Sequence, residues 1–154
     1  MAVNQVIIEW VARQVDQRIG DGQCWTLAET ALTFASAKTS NDIMGAKGVN
    51  SKADYVWGTE VRLAQLKPGD IVQFHMYKFT RHTDDGDEWG QRGDSNEPRH
   101  TAIVSSVGAK GQVTVYEQNI EGGPVQENTL YFDKSASGIT ISGKWKFYRP
   151  IAKP

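Results

Sequence analysis

The chain contains a single cysteine, Cys24, and it lies where a thiol can do chemistry. It follows the turn-forming run Gly20-Asp21-Gly22-Gln23 and precedes an alanine-rich apolar segment, so we expect it in the first turn of a helix. Free backbone N–H groups and the helix dipole favour a thiolate there, and the thiolate is the nucleophilic form of cysteine. A lone cysteine is more commonly a small buried apolar residue. The turn before it and the motifs after it favour a nucleophile.

A histidine and two polar residues follow at a suggestive spacing. His100 opens the apolar run Thr101-Ala102-Ile103-Val104, which predicts a strand, and a second strand reaches Glu117 and Asn119 after a tight turn. If the turn is centred between residues 109 and 110, antiparallel pairing places His100 opposite position 119, with Glu117 on the same face. The hairpin therefore predicts that His100 contacts Glu117 or Asn119. Gln118 alternates to the opposite face and is the weaker candidate.

These residue types are the parts of a cysteine hydrolase. Acyl transfer through sulfur needs a deprotonated thiol, an imidazole beside it, and a third group that holds the imidazole in one tautomer. Cys24, His100 and either Glu117 or Asn119 could supply them. Local patterns do not predict that Cys24 meets His100.

The elements that must position these residues change type along the chain. Apolar residues spaced three and four apart predict a helix over 3–19, ended by Gly20 and Gly22, and a second helix over 24–38. Strands begin at Ile71, with further strands predicted at 100–107, 112–119, 129–132, 138–141 and 144–148. Helices first and strands afterwards indicate an α+β domain, with helices packed on an antiparallel sheet.

Residues 75–99 stand out as a long polar stretch rich in Asp, Glu, Arg and Gly. We expect a loop insertion that narrows a cleft as a lid, because long loops in compact domains are commonly functional. Its acidic run, 84–88, could suggest calcium, but the spacing does not match an EF-hand loop. A solvated acidic loop without a metal is the favoured interpretation, and we expect no cofactor.

Size and composition fit one domain over residues 1–154. Seventeen basic and eighteen acidic side chains give a net charge of −1, so we expect no nucleic-acid partner. One cysteine excludes an internal disulfide. No stretch approaches the ~18 apolar residues of a membrane span, and the N-terminus lacks the features of a secretory signal. We therefore expect a cytoplasmic protein, or one exported by a non-classical or contact-dependent route.

Four segments in order resemble the CHAP amidase/peptidase family of NlpC-type, papain-like cysteine hydrolases. They are Gln23-Cys24-Trp25, residues 66–72, residues 100–104 and residues 115–119. The resemblance implies a papain-like NlpC/CHAP fold with a five- to six-stranded antiparallel sheet. Family members commonly cleave peptidoglycan, so it also implies a cysteine amidase or peptidase that acts on bacterial cell walls. A peptidoglycan or peptide substrate, and an immunity or inhibitor protein, are the expected partners.

The resemblance also implies roles for individual residues. Cys24 is the nucleophile, His100 the general base, Glu117 the group that orients His100, and Asn119 an assistant. The backbone N–H of Cys24 and the side chain of Gln23 form the oxyanion site, and Trp25 forms either a wall of the cleft or part of the core. Two alternatives stay open: a delivered deamidase or acyltransferase that acts on a protein substrate, and a catalytically silent binding module.

Overall fold

The structure, a computed structural model, describes residues 2–154 and has three α-helices, two short 3₁₀ helices and seven strands. The α-helices are α1 (Val3–Ala12), α2 (Cys24–Phe34) and α3 (Ser40–Met44). The strands are β1 (Thr59–Val61), β2 (Ile71–Thr83), β3 (Gly86–Arg92), β4 (Arg99–Val107), β5 (Gln112–Glu117), β6 (Gln126–Tyr131) and β7 (Ile139–Arg149). The expected α+β class is confirmed, with both long helices shorter than predicted.

All strand pairs are antiparallel, in the order β1-β7-β2-β4-β5-β6, and β3 pairs with the outer half of β2. The sheet is curled, because β2 and β6 touch although two strands separate them. The Tyr77 hydroxyl donates to the carbonyl of Tyr131 at 2.6 Å, and the rings of Phe79 and Tyr131 lie 4.9 Å apart. The sheet has seven strands, one more than the upper end of the expected five to six.

Two apolar clusters lie on opposite faces of the sheet because alternate residues of each strand point to opposite sides. In β2, Val72 and Phe74 join an aromatic cluster inside the curl, whereas Ile71 joins the cluster beneath α1 and α2. Ala28 and Ala31 of α2 are almost fully buried in that second cluster. Their small side chains let the helix pack closely on β4, so its first residue, Cys24, lies beside the start of that strand.

Residues 75–99 are not the expected loop. They form most of the β2–β3 hairpin, with a two-residue turn at Asp84 and Asp85, and only residues 93–98 are irregular. The alternation of buried Tyr77 and Phe79 with exposed Lys78 is the strand signal that the surrounding charges obscured.

Residues 138–148 were predicted as two strands and form one. Gly143 does not break β7, because its positive φ of 90° lets the strand pass an irregularity in β2 at Met76. A Cβ on Gly143 would lie 2.2 Å from the Met76 carbonyl oxygen, so only glycine fits there. Among residues 2–154, no helix combines the length and the hydrophobicity that crossing a bilayer requires.

Candidate active site

The loop before Cys24 is shaped by glycine and capped by aspartate. Gly20 has a φ of 57°, and a Cβ there would lie 2.6 Å from the Thr26 methyl group. The Asp21 carboxylate accepts hydrogen bonds from the Gln23 backbone N–H at 3.0 Å and from the Thr26 hydroxyl. These bonds lower the pKa of Asp21. The chain therefore turns sharply, and Cys24 is the first residue of α2.

The buried side chain of Gln118 holds this loop. Its amide oxygen accepts from the Ile19 N–H at 3.0 Å, and its amide nitrogen donates to the carbonyls of Ile19 at 3.0 Å and Gln23 at 2.8 Å. Gln118 is fully buried, so these bonds form away from water. Sequence reasoning ranked it as a weak candidate because it points away from Glu117. That opposite direction is what places its amide against the loop before Cys24.

The Cys24 thiol lies near enough to the His100 side chain, and to the backbone N–H groups of Thr101 and Trp25, for each of them to stabilise its thiolate form. Burial raises the pKa of Cys24. The positive charge and hydrogen bond of His100, together with the two N–H donors, outweigh burial and bring the pKa below 9.0. The sequence did not predict this meeting of Cys24 and His100, which depends on the packing of α2 against β4.

The His100 ring is fixed on two further sides. Its Nε2 lies 2.9 Å from Oε1 of Glu117, which leaves Nδ1 as the nitrogen that faces the thiol. The ring also lies 5.8 Å from that of Phe74, and His100 is only 7% exposed. Burial lowers the pKa of His100, but the Cys24 thiolate and the Glu117 carboxylate outweigh it and raise the pKa to about 9. The three side chains can therefore hold a thiolate–imidazolium pair.

Glu117 is fully buried and has two further partners that sequence reasoning missed. Arg92, at the end of β3, donates from Nε to Oε1 at 2.8 Å and from Nη2 to Oε2 at 2.6 Å. Asn128 of β6 donates to Oε2 at 2.8 Å. Burial raises the pKa of Glu117, but the hydrogen bonds and charges of His100 and Arg92 outweigh it and lower the pKa to about 2. Glu117 is therefore ionised across the neutral range.

Asn119 lies elsewhere than expected. It has a positive φ of 68° beyond the end of β5, and its amide nitrogen donates to the side-chain oxygen of Gln23 at 3.3 Å. The expected partner was His100, whose Nε2 is occupied by Glu117. The backbone leaves the strand at Gln118, so Asn119 is not carried on to the position opposite His100.

A cleft of about 1190 Å³ runs over Cys24 and His100. Gln23, Trp25 and Asn119 line one side of it, and residues 89–93 line another. Trp25 lies both at the cleft and against the core. It lines the cleft, donates from its indole N–H to the Ser40 hydroxyl at 2.9 Å, and packs on the core with Tyr55.

Comparison with known proteins identifies the family. A family model described as the AIM3/BBC1 cysteine proteinase-fold domain matches residues 2–153. The chain belongs to this family. Its fold is therefore that of a papain-like cysteine proteinase, whereas the narrower NlpC/CHAP type has no support beyond the motifs quoted above. No solved structure matches the chain.

The chain is also similar to the altered inheritance of mitochondria protein 3 of the yeast Debaryomyces hansenii. The two are 25% identical over 158 residues, which cover 96% of this chain and 16% of the yeast protein. The chain thus spans a small part of the length of that relative. Neither the family nor the relative supports a peptidoglycan substrate.

Proposed function

We propose that the protein is a cysteine hydrolase that cleaves an amide bond of a polypeptide substrate through a thioester intermediate. The observation that carries this proposal is the unbroken series of contacts from Cys24 through His100 to Glu117 at the floor of an open cleft. A thiol held only for packing would not need a charged, oriented imidazole beside it.

Each group has a defined step. The Cys24 thiolate attacks the substrate carbonyl carbon, and a carbon–sulfur bond forms as the carbonyl π electrons move to oxygen. The tetrahedral species collapses, the carbon–nitrogen bond breaks, and the amine leaves with the proton of the His100 imidazolium. Neutral His100 then takes a proton from water, whose oxygen attacks the thioester carbon. The carbon–sulfur bond breaks, the carboxylic acid leaves, and the thiolate–imidazolium pair is restored. Glu117 accepts from Nε2 of His100 throughout and keeps the other nitrogen directed at sulfur.

The oxyanion site uses the start of α2. The backbone N–H groups in the first turn of a helix have no acceptor within the helix, so that of Cys24 is available to the oxyanion. Asn119 engages the side-chain oxygen of Gln23, which leaves the Gln23 amide N–H₂ available as a second donor. Gln23 is therefore a catalytic residue in this proposal, and Asn119 is a positioning residue.

A polypeptide is the substrate class that the surroundings favour. The yeast relative gives no reason to keep the cell-wall substrate expected from the CHAP resemblance. Strand β3 lines the cleft and pairs only with β2 among the described strands, so its other edge can accept main-chain hydrogen bonds from an extended peptide. Main-chain recognition of this kind suits a protein segment better than a sugar.

The test compares wild-type protein with Cys24→Ala and Cys24→Ser on a proteome-derived peptide library and on folded protein mixtures, read by mass spectrometry. We expect new peptide termini with wild type that both variants lack. A Cys24-dependent mass gain of about 1 Da without cleavage would identify the deamidase alternative. If no product depends on Cys24 and its thiol reacts as an ordinary one, the protein is the silent binding module and the proposal fails.

A further inference from the structure

Glu117 carries more partners than an orienting group needs. One donor, Nε2 of His100, suffices to fix the imidazole, yet both carboxylate oxygens are also held by the Arg92 guanidinium. Bidentate pairing of this kind fixes the rotation of a carboxylate as well as its charge. Arg92 is 8% exposed and Glu117 is fully buried, so little water competes for either.

The conformation of the β2–β3 hairpin places the Arg92 guanidinium against Glu117. Gly93 follows Arg92 with a φ of 97°, and a Cβ there would lie 2.1 Å from the Pro98 carbonyl oxygen. Gly90 lies against the Phe79 ring, where a Cβ would come within 2.5 Å. The chain therefore turns inward at the end of β3, and Nη1 of Arg92 is tied to the Gln91 carbonyl at 2.8 Å.

Glu117 needs Arg92 as a second positive partner because its first partner, His100, changes its charge. During acyl transfer His100 gives up its proton, and a buried carboxylate left without a positive partner is strongly destabilised. Arg92 is always protonated, so it balances Glu117 whether His100 is charged or neutral. The other titratable groups nearby are Cys24, which faces His100 directly, and Tyr77, whose hydroxyl is bonded to the Tyr131 carbonyl.

We propose that Arg92 is a positioning residue of the active site: its guanidinium holds Glu117 ionised and fixed in rotation in both protonation states of His100. The inference rests on the proposed function, in which His100 shuttles the proton. It assigns the β2–β3 hairpin to the catalytic machinery instead of to a lid.

The test has a readout that needs no substrate. The rate at which iodoacetamide alkylates Cys24 is measured against pH in wild type, Arg92→Met and Arg92→Lys. The profile should have an upper inflection where His100 loses its proton. Without the Arg92 charge, the negative charge of Glu117 stabilises the imidazolium more strongly, so this inflection lies at higher pH in Arg92→Met than in wild type. Arg92→Lys keeps the charge and stays near wild type. Arg81→Met is the matched control, because Arg81 lies on the same hairpin and pairs with exposed Glu88 at 3.2 Å.

Turnover of the substrate found with wild type is then measured for Arg92→Met, Glu117→Gln and the double variant, which together form a double-mutant cycle. We expect Arg92→Met to lower kcat at least tenfold with KM within about twofold, and to have no further effect in the Glu117→Gln background. An equal loss in both backgrounds, or a folded Arg92→Met with an unchanged upper inflection, would overturn the proposal. If Arg92→Met does not fold, Arg92→Lys and the double variant carry the comparison. If no substrate is found, the proposed function fails while the alkylation profiles still decide the role of Arg92.

Discussion

The thiolate–imidazolium pair makes a quantitative prediction about the reactivity of Cys24. Replacing His100 by Gln removes the positive charge but leaves an amide N–H that can donate to Glu117, so the carboxylate keeps its partners. Burial of the thiol remains, and burial raises its pKa. We therefore expect the pKa of Cys24 in His100→Gln to rise to at least the ordinary value of 9.0.

Two effects of opposite sign set the size of the change. Well below the pKa, each unit by which the pKa is lowered gives about tenfold more thiolate. The same unit makes that thiolate about threefold less nucleophilic, because nucleophilicity follows basicity with a slope of about 0.4–0.5. Wild type therefore reacts about three- to fourfold faster at low pH for each unit of lowering, and this advantage disappears above the His100 pKa, where the imidazolium has lost its proton.

The two pH profiles should therefore differ most at low pH and converge above the pKa of His100. Wild type should also show two inflections, one for the thiol below pH 9.0 and one near the His100 pKa of about 9, where loss of the imidazolium proton makes the thiolate more basic. His100→Gln should show a single inflection at higher pH. These differences belong to the coupled pair and do not depend on any substrate.

The assay follows alkylation of wild type, His100→Gln and His82→Gln by uncharged iodoacetamide between about pH 5 and 11. Cys24 is the only cysteine, so intact mass reports one site. His82 is the matched control because it is exposed and pairs with Asp87 at 2.7 Å on the hairpin surface. A wild-type lower inflection no lower in pH than the single inflection of His100→Gln, or equal rates for the two proteins at low pH, would refute the ion pair.

Two predictions concern stability. Gln118→Leu leaves the Ile19 N–H and two carbonyls without partners, so we expect a loss of about 3 kcal/mol and roughly 10 °C in Tm, measured by thermal and denaturant unfolding. Exposed Gln112→Leu is the control, and an equal Tm for the two variants would contradict the role of Gln118. Because folding lowers the pKa of Glu117 from 4.5 to about 2, its contribution of about 3 kcal/mol is complete above pH 4.5 and is lost as pH falls towards 2. The free energy of unfolding of Glu117→Gln, measured with denaturant at pH 5, 4 and 3, should lack that loss. If it falls with pH as steeply as that of wild type, the contribution of Glu117 is ruled out.

The sequence predicted the local half of the site because that half lies on one hairpin. The pairs Ile103–Tyr116 and Val104–Val115 have the register expected from a turn centred between residues 109 and 110. A bulge between Val104 and Ser106 shifts the register nearer the turn and leaves it as predicted at the end where the site lies. Contact of His100 with Glu117 follows from this pairing, whereas contact with Cys24 requires the packing of α2 on β4.

The sequence did not predict the roles of Arg92 and Gln118, for different physical reasons. Arg92 lies in a segment whose charges mask the strand alternation, and its partner Glu117 is 25 positions away with no periodic relation to it. Gln118 directly follows β5 and points away from the side of Glu117, in a direction that a search for partners of His100 disregards. Both are polar residues buried by tertiary contacts, and burial of a polar side chain is the property that a local pattern shows least.

The charges of the site alternate in sign from Cys24 to Arg92. This order explains why the Cys24–His100 pair and the Glu117–Arg92 pair are both needed to keep the buried site neutral. Thiolate, imidazolium, carboxylate and guanidinium follow one another from Cys24 to Arg92 with no net charge. In the proposed mechanism, one charge of each sign disappears when the thiolate is acylated and the imidazolium gives its proton to the leaving amine. The remaining Glu117–Arg92 pair is again neutral, so no stage leaves an uncompensated charge in the buried interior. An uncharged amide in place of Glu117 would orient His100 without needing Arg92. In the proposed mechanism, it is the carboxylate of Glu117 that requires Arg92 and so gives the β2–β3 hairpin a part in the active site.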